Sequence, residues 1–366
     1  MPARFKIEQI FKAAADNNAS DIYLSPNDLP ILRIQDRFVK LKKDGDDTPM
    51  TPEECDEIIF GGMLPAQKEE FVKNRDFDYA LDLKGIGRFR VNVFMGNGNA
   101  QLVARYIVSE PKPLESLGLP DVIETIIDES KTGLILVTGA TGSGKTNTLS
   151  GMVDYINRHK EKKIITIEDP VEIVHKNKRS SVSQRELYAD TLTFSNALRA
   201  AMRQRPDVIL IGEMRDAETV STAINASESG HLVLSTLHSI NARDTIARIL
   251  DFYPLEEQQQ IRNLLSHTIR ATISQRLIVT EQGKTKPLVE IMREDLRIFE
   301  AIRDPEKTHD IPRIMEESSY KQMQTFDQHL VEMVQEGLLS KERALGYSEN
   351  RDQLARRIRK EGLEVK

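Results

Sequence analysis

Ten residues, Gly139-Ala140-Thr141-Gly142-Ser143-Gly144-Lys145-Thr146-Asn147-Thr148, set glycines, a lysine and hydroxyls at the spacing G-x-x-x-x-G-K-[ST]. Glycines let the backbone fold tightly enough for successive N–H groups to face one anion, and a helix beginning there adds its positive end. This is phosphate chemistry. Lys145 is expected to reach the β- and γ-phosphates of a nucleotide and the Thr146 hydroxyl to hold Mg²⁺. Gly139, Thr141, Gly142, Ser143, Gly144 and Asn147 complete the cradle.

Hydrolysis needs more than a cradle: a carboxylate that orients and deprotonates water, others around the metal's water shell, and a polar sensor of the γ-phosphate. Apolar runs end in such groups. Residues 164–167 lead into Glu168, Asp169 and Glu172; residues 207–212 into Glu213; residues 231–236 into His238. Glu213 is the candidate base. Glu168 and Glu172 lie four apart in a turn broken by Pro170, so only one of them is expected to face the metal, while Asp169 suits a turn cap. His238 is placed to hydrogen-bond a phosphate or a water. His231 opens the same strand seven residues earlier, roughly 23 Å away at about 3.3 Å per residue, so the two cannot share one γ-phosphate. Arg203, Arg215 and Arg248 flank these segments, either as salt-bridge partners or as arginines that reach across a subunit boundary to stabilise transition-state charge. Arg88, Arg90 and Arg105 sit on strand-like runs near the start, where surface pairing is the simplest account, and Arg105 is also taken, with Glu168 and His231, as a candidate nucleotide contact.

The elements that must carry these residues follow from periodicity. Residues 1–108 open with a helix and continue with strand-like runs at residues 21–25, 30–35 and 87–96. In the last of these Phe89, Val91 and Val93 alternate with Arg88, Arg90 and Asn92, which predicts a half-exposed strand in a small α+β domain. Residues 109–120 hold Pro111, Pro113 and Pro120 and read as a linker. From residue 121 to 366, short apolar runs at 134–138, 164–167, 207–212 and 231–236 alternate with helical segments at 147–159, 193–205 and 216–229, the signature of a largely parallel sheet covered on both faces. Such a sheet gathers the carboxyl ends of its strands at one crevice. From about residue 288 the chain reads as mostly helical.

Composition narrows the class. The chain has 366 residues, 39% hydrophobic and 30% charged, with no tryptophan and no apolar run near the roughly 20 residues that span a bilayer. The opening MPARFKIEQIFKAAADN is charged throughout, which predicts a cytoplasmic protein. The single Cys55 excludes a disulfide framework or a cysteine zinc site within one chain. A net charge of −6 argues against a dedicated nucleic-acid binder. The basic RRIRK near the end reads as a solvated helix face.

The ordered motifs resemble the type IV pilus retraction ATPases, the twitching-motility motors within the secretion ATPases. The likeness runs through ASDIYLS, GIGRFRVNVF, the phosphate loop, ITIEDPVEIVH, the SQRE segment, RPDVILIGEMRDAET, SGHLVLSTLHS and, late in the chain, MQTFDQHL and EGLLSKERAL. It implies a RecA-like ATPase domain behind an N-terminal PAS-like domain, a hexameric ring, ATP bound at the cleft between the domains, and contact with a pilus platform protein of the inner membrane. It makes Glu213 the catalytic glutamate and Glu172 the acidic-box carboxylate. His231 and His238 fall in its histidine box, and Arg203, Arg215 and Arg248 become contacts completed between subunits; ATP and Mg²⁺ are the expected ligands. One stretch departs: retraction motors carry Ala-Ile-Arg-Asn-Leu-Ile where this chain has Ala301-Ile302-Arg303-Asp304-Pro305-Glu306, closer to the accessory retraction paralogue that works beside a main motor. A motor of a related secretion or conjugation apparatus, a RecA-like nucleic-acid translocase and a small-molecule kinase are the other readings.

Overall fold

The computed structural model describes residues 5–43, 45–107 and 110–363; the junction expected at residues 108 and 109 lies outside them. Residues 1–110 form one unit together with residues 167–175 and 184–193, and residues 111–166, 176–183 and 194–366 form a second.

In the first unit, α1 (Ile7–Asp16) buries Ile7, Ile10, Phe11 and Ala14, one face at helical spacing. It is followed by β1 (Asp21–Leu24), β2 (Ile31–Ile34) and β3 (Arg37–Lys40), then α2 (Pro52–Gly61), α3 (Pro65–Asn74), β4 (Asp76–Leu83), β5 (Gly87–Gly96) and β6 (Asn99–Ile107). The strands make one antiparallel sheet in the order β3-β2-β1-β6-β5-β4. Thr51 starts α2 with a capping box, its hydroxyl accepting the Glu54 N–H at 3.2 Å while the Glu54 carboxylate accepts the Thr51 N–H at 3.0 Å. The alternation read in β5 is real: Phe89, Val91 and Val93 are buried, and the Phe89 ring meets Phe11 edge-on at 4.6 Å.

Residues 167–175 and 184–193 join this unit for definite reasons. Arg88 pairs with Glu186 and donates to the Val171 carbonyl at 2.9 Å. Arg90 pairs with Glu172, and the Tyr188 ring packs edge-on against Phe77 at 5.2 Å. Hydropathy along the later segment carries no trace of these partners.

The second unit opens with α4 (Val122–Glu129), β7 (Gly133–Thr138) and α5 (Lys145–His159). Strand β8 (Lys163–Glu168) and strand β9 (Ser181–Glu186), whose last residues are counted with the first unit, α6 (Phe194–Met202), β10 (Val208–Ile211), α7 (Ala217–Glu228), β11 (Leu232–Leu237), α8 (Ala242–Leu250) and α9 (Leu255–Thr268) follow. Next come β12 (Ile269–Val279) and β13 (Thr285–Arg293), then helices α10 (Leu296–Arg303), α11 (Ile311–Glu317), α12 (Phe326–Gln335), α13 (Lys341–Tyr347) and α14 (Arg351–Lys360). The sheet order is β13-β12-β7-β11-β10-β8-β9. Strand β7 lies between parallel β11 and β12, and every residue in it is buried. Each of Leu134, Ile135, Leu136 and Val137 contributes about 1.5–3 kcal/mol of burial, so the strand that delivers the phosphate loop is among the firmest in the unit.

Two expectations need correction here. The chain beyond residue 288 is not helical at first, because β13 runs to Arg293 as an antiparallel partner of β12. That hairpin was hidden by buried polar side chains on β12, where Thr272, Ser274 and Gln275 replace the apolar alternation of an ordinary strand. Helix α6 also stops at Met202, short of Pro206. At the other end of the chain Pro305 begins a short 3₁₀ turn immediately after α10, as a residue without an N–H should.

Candidate nucleotide-hydrolysis site

The phosphate loop connects β7 to α5, and three of its glycines have left-handed φ: Gly139 at 146°, Gly142 at 79° and Gly144 at 92°. A Cβ at Gly139 would come within 2.3 Å of the Gln275 carbonyl oxygen, so this position requires glycine on both grounds. Helix α5 begins at Lys145 with Gly144 as its cap, which brings its unpaired N–H groups to the loop. Thr141, Thr146 and Asn147 are exposed around it, while Ser143 is buried with its Oγ unpartnered among the described residues. Lys145 Nζ donates to the Gly139 and Ala140 carbonyls at 2.8 and 3.0 Å, holding the cation against the loop. Burial lowers its pKa from the ordinary lysine value, opposed by the charge of Glu213.

Glu213 follows β10. Its carboxylate receives Arg215 Nε at 2.9 Å on one oxygen and lies 3.3 Å from His238 Nε2 on the other. The turn that carries it is tied to the end of β11: Thr236 Oγ1 donates to the Gly212 carbonyl at 2.7 Å, and the Met214 N–H to the Thr236 carbonyl at 3.2 Å. Asp216 caps α7 by accepting the Thr219 N–H at 2.8 Å, which anchors the far side of the same turn.

The second unit therefore unites Lys145, Thr146, Glu213, Arg215 and His238. It does not bring His231 to them. His231 precedes β11, its carbonyl accepts the Gly133 N–H at the start of β7, and its Nδ1 lies 2.9 Å from the Ala226 carbonyl. It stands at the amino edge of the sheet, the opposite end from the loop. Arg203 and Arg248 are exposed and have no carboxylate partner among the described residues; the Arg248 guanidinium lies over the Phe252 ring at 5.2 Å. Glu168, Glu172 and Arg105 belong to the first unit. There Glu168 accepts Gln184 Nε2 at 3.1 Å, Glu172 pairs with Arg90, and Arg105 pairs with the buried Asp21 at 2.9 Å. Two cavities, about 410 and 500 Å³, lie elsewhere in the second unit, beside Arg303 and beside Phe299.

A model of the type II/IV secretion system protein family matches residues 80–364. The chain belongs to that family. This secretion-family protein is 39% identical over 338 residues to the type IV pilus retraction ATPase PilT of Pseudomonas aeruginosa, covering 92% of this chain and 96% of that one. It is 34% identical over 350 residues to the type IV pilus ATPase PilU of the same organism, covering 95% and 90%. Among solved structures it superposes on the pilus retraction motor PilT with bound ADP at a TM-score of 0.83 and 40% identity, covering 96% of this chain and all of that one. The ATPase DotB of Legionella pneumophila superposes at a TM-score of 0.84 and 26% identity, covering 94% and 96%. The family fold is an N-terminal α+β domain and a RecA-like ATPase domain, and the protein is a P-loop ATPase.

Sequence reasoning missed the residues that hold the candidates in place. Gln275 and Ser274 on β12 contact the loop region, Ser274 Oγ accepting the Thr138 hydroxyl at 2.9 Å and Gln275 Nε2 donating to the Ser143 carbonyl at 2.7 Å. Their one signal was polarity inside a strand that pairs with β7.

Proposed function

We propose that this protein is a motor ATPase of type IV pilus retraction. The observation that supports it most directly is the pairing of the Lys145 loop with a carboxylate, Glu213, that is oriented through both oxygens, in a chain with near full-length likeness to a retraction motor.

In this reading the loop N–H groups, Lys145 and the start of α5 bind the β- and γ-phosphates of ATP. Glu213 orients the attacking water and takes its proton, and Arg215 and His238 keep that carboxylate aimed. Mg²⁺, when bound, spreads the charge that develops on the phosphates. The residues suit it: the Thr146 hydroxyl is exposed at the first turn of α5 and makes no hydrogen bond among the described residues. No cluster of three His, Cys, Asp or Glu among those residues would hold an ion alone. The protein works as a homohexamer in which Arg203 and Arg248, without carboxylate partners among the described residues, face a neighbour's nucleotide, and Glu172, Glu168 and Arg105 are the further candidates for nucleotide contact. Its partner is the platform protein of the inner membrane, reached from the cytoplasm; no helix among the described residues is long and apolar enough to cross a membrane.

Asp304-Pro305-Glu306, which ends α10 and starts a 3₁₀ turn, favours the accessory form of this role, beside a second retraction ATPase. Deleting the gene and imaging surface pili tests the proposal. Excess pili without twitching supports retraction, whereas absent pili would make this an assembly motor. Twitching restored by overproducing the second ATPase supports the accessory form, and DNA-stimulated turnover of the purified protein would favour a translocase instead.

A further inference from the structure

Gln275 stands on β12 one residue beyond the Ser274–Thr138 register pair and is 1% exposed. Its side-chain amide is used at both ends: Nε2 donates to the Ser143 carbonyl at 2.7 Å, and Oε1 accepts the Thr148 hydroxyl at 2.9 Å. Ser143 lies in the phosphate loop and Thr148 in the first turn of α5, so one planar group ties loop to helix. The loop is also shaped around this residue, because a Cβ at Gly139 would strike its carbonyl oxygen and one at Gly144 would come to 3.1 Å from its Nε2.

The consequence comes from peptide geometry. In a trans peptide the C=O of one residue and the N–H of the next point in opposite directions. Drawing the Ser143 carbonyl toward Gln275 therefore turns the Gly144 N–H away from Gln275. Without that hold the same peptide is free to rotate about two soft dihedrals, one of them in a glycine, and its N–H loses a fixed direction.

We infer that Gln275 is a positioning residue for the phosphate loop, acting through the Ser143–Gly144 peptide to aim a loop N–H at the nucleotide's phosphates. This rests on the ATPase reading of the site and adds a residue outside the loop motif to it. Gln275 touches no reacting atom, so its removal should weaken nucleotide binding more than turnover.

The test compares ADP affinity, by calorimetry, with kcat at saturating ATP for the parent protein and four variants. Gln275→Met keeps the volume and loses both hydrogen bonds, leaving a carbonyl and a hydroxyl buried without partners; ADP affinity is expected to fall about tenfold with kcat within about threefold. Gln275→Glu keeps the acceptor for Thr148 but sets a carboxylate oxygen against the Ser143 carbonyl, and is expected to lose at least as much. Thr148→Val removes only the second contact, with a fall of about threefold. Thr272→Val, on the same strand and away from the loop, should match the parent in both measurements. ADP affinity within twofold of the parent in both Gln275 variants overturns the inference, as does a fall in kcat equal to or larger than the fall in affinity. Should Gln275→Met not fold, Gln275→Glu and Thr148→Val decide by the same comparison. A parent protein that neither binds ADP nor hydrolyses ATP would strike the ATPase reading itself, which separates the two failures.

Discussion

His238 Nε2 lies 3.3 Å from Glu213 Oε1, although the two residues follow different strands, β11 and β10, that pair in parallel from Val208 and Leu232 onward. Parallel register carries both to the same edge of the sheet. With Arg215 on the other oxygen, the Glu213 carboxylate has one orientation before any water arrives.

Replacing Glu213 by Gln keeps the shape and removes the base. ADP affinity should stay within a few fold of the parent, while kcat falls by roughly 10² or more, the usual contribution of a positioned general base. Replacing His238 by Ala frees one oxygen but leaves Arg215 in place, so its loss should be smaller, on the order of tenfold. Steady-state ATP hydrolysis beside ADP calorimetry checks both, and a fully active Glu213 variant would remove it as the base.

Glu290 on β13 is buried and accepts the Ala242 N–H at 2.8 Å, at the start of α8. Burial pushes its carboxyl up to about 7 from 4.5. The folded state thus holds a proton that the unfolded chain releases, and the stability linked to it is whole below pH 4.5 and is lost as pH rises through 7. Glu290→Gln stays neutral and can still accept from Ala242. Urea unfolding should show the parent losing up to about 3 kcal/mol more than the variant between pH 5 and pH 8; equal pH slopes would contradict this.

His329 on α12 carries the opposite sign. Burial brings its imidazole down to about 4 from 6.5, and its Nδ1 accepts the Val289 N–H at 2.9 Å. Its contribution is whole above pH 6.5 and is lost as pH falls through 4. His329→Gln should flatten the acid limb of the stability profile below pH 6.5 and leave the alkaline limb unchanged, as read by urea midpoints at half-unit steps of pH.

Cys55 is fully buried in the first unit, its Sγ 3.8 Å from the Ala100 carbonyl, and burial pushes the thiol up to about 12. A thiolate is scarce at pH 8 and out of reach. A disulfide reagent at pH 8 should therefore label the native protein only at the rate of opening of that unit and label it at once in 6 M urea. Immediate labelling of the native protein would contradict the burial.

Much of this protein could be read directly. The phosphate loop is legible because phosphate binding demands particular residue types at fixed spacing, and Gly139, Gly144 and Lys145 have few substitutes. Glu213 and His238 are legible because an apolar strand that ends in an ionisable residue marks the edge of a parallel sheet. The buried face of β5 shows in its alternation for the same reason, since a pleat exposes every second residue.

Only the tertiary structure decided the rest. Hydropathy could not reveal β12 and β13, because Ser274 and Gln275 are buried polar groups whose partners, Thr138, Ser143 and Thr148, lie more than 120 residues away. Strand length already separated His231 from His238, but their partners, the Ala226 carbonyl for one and Glu213 for the other, come only from the fold. Glu186 and Arg88 are 98 residues apart in the chain, and nothing local to either announces that they meet. Local sequence encodes what each short element requires of its own backbone. Which distant side chain satisfies a buried carbonyl or carboxylate depends on how the elements pack, and that exists only once the chain has folded.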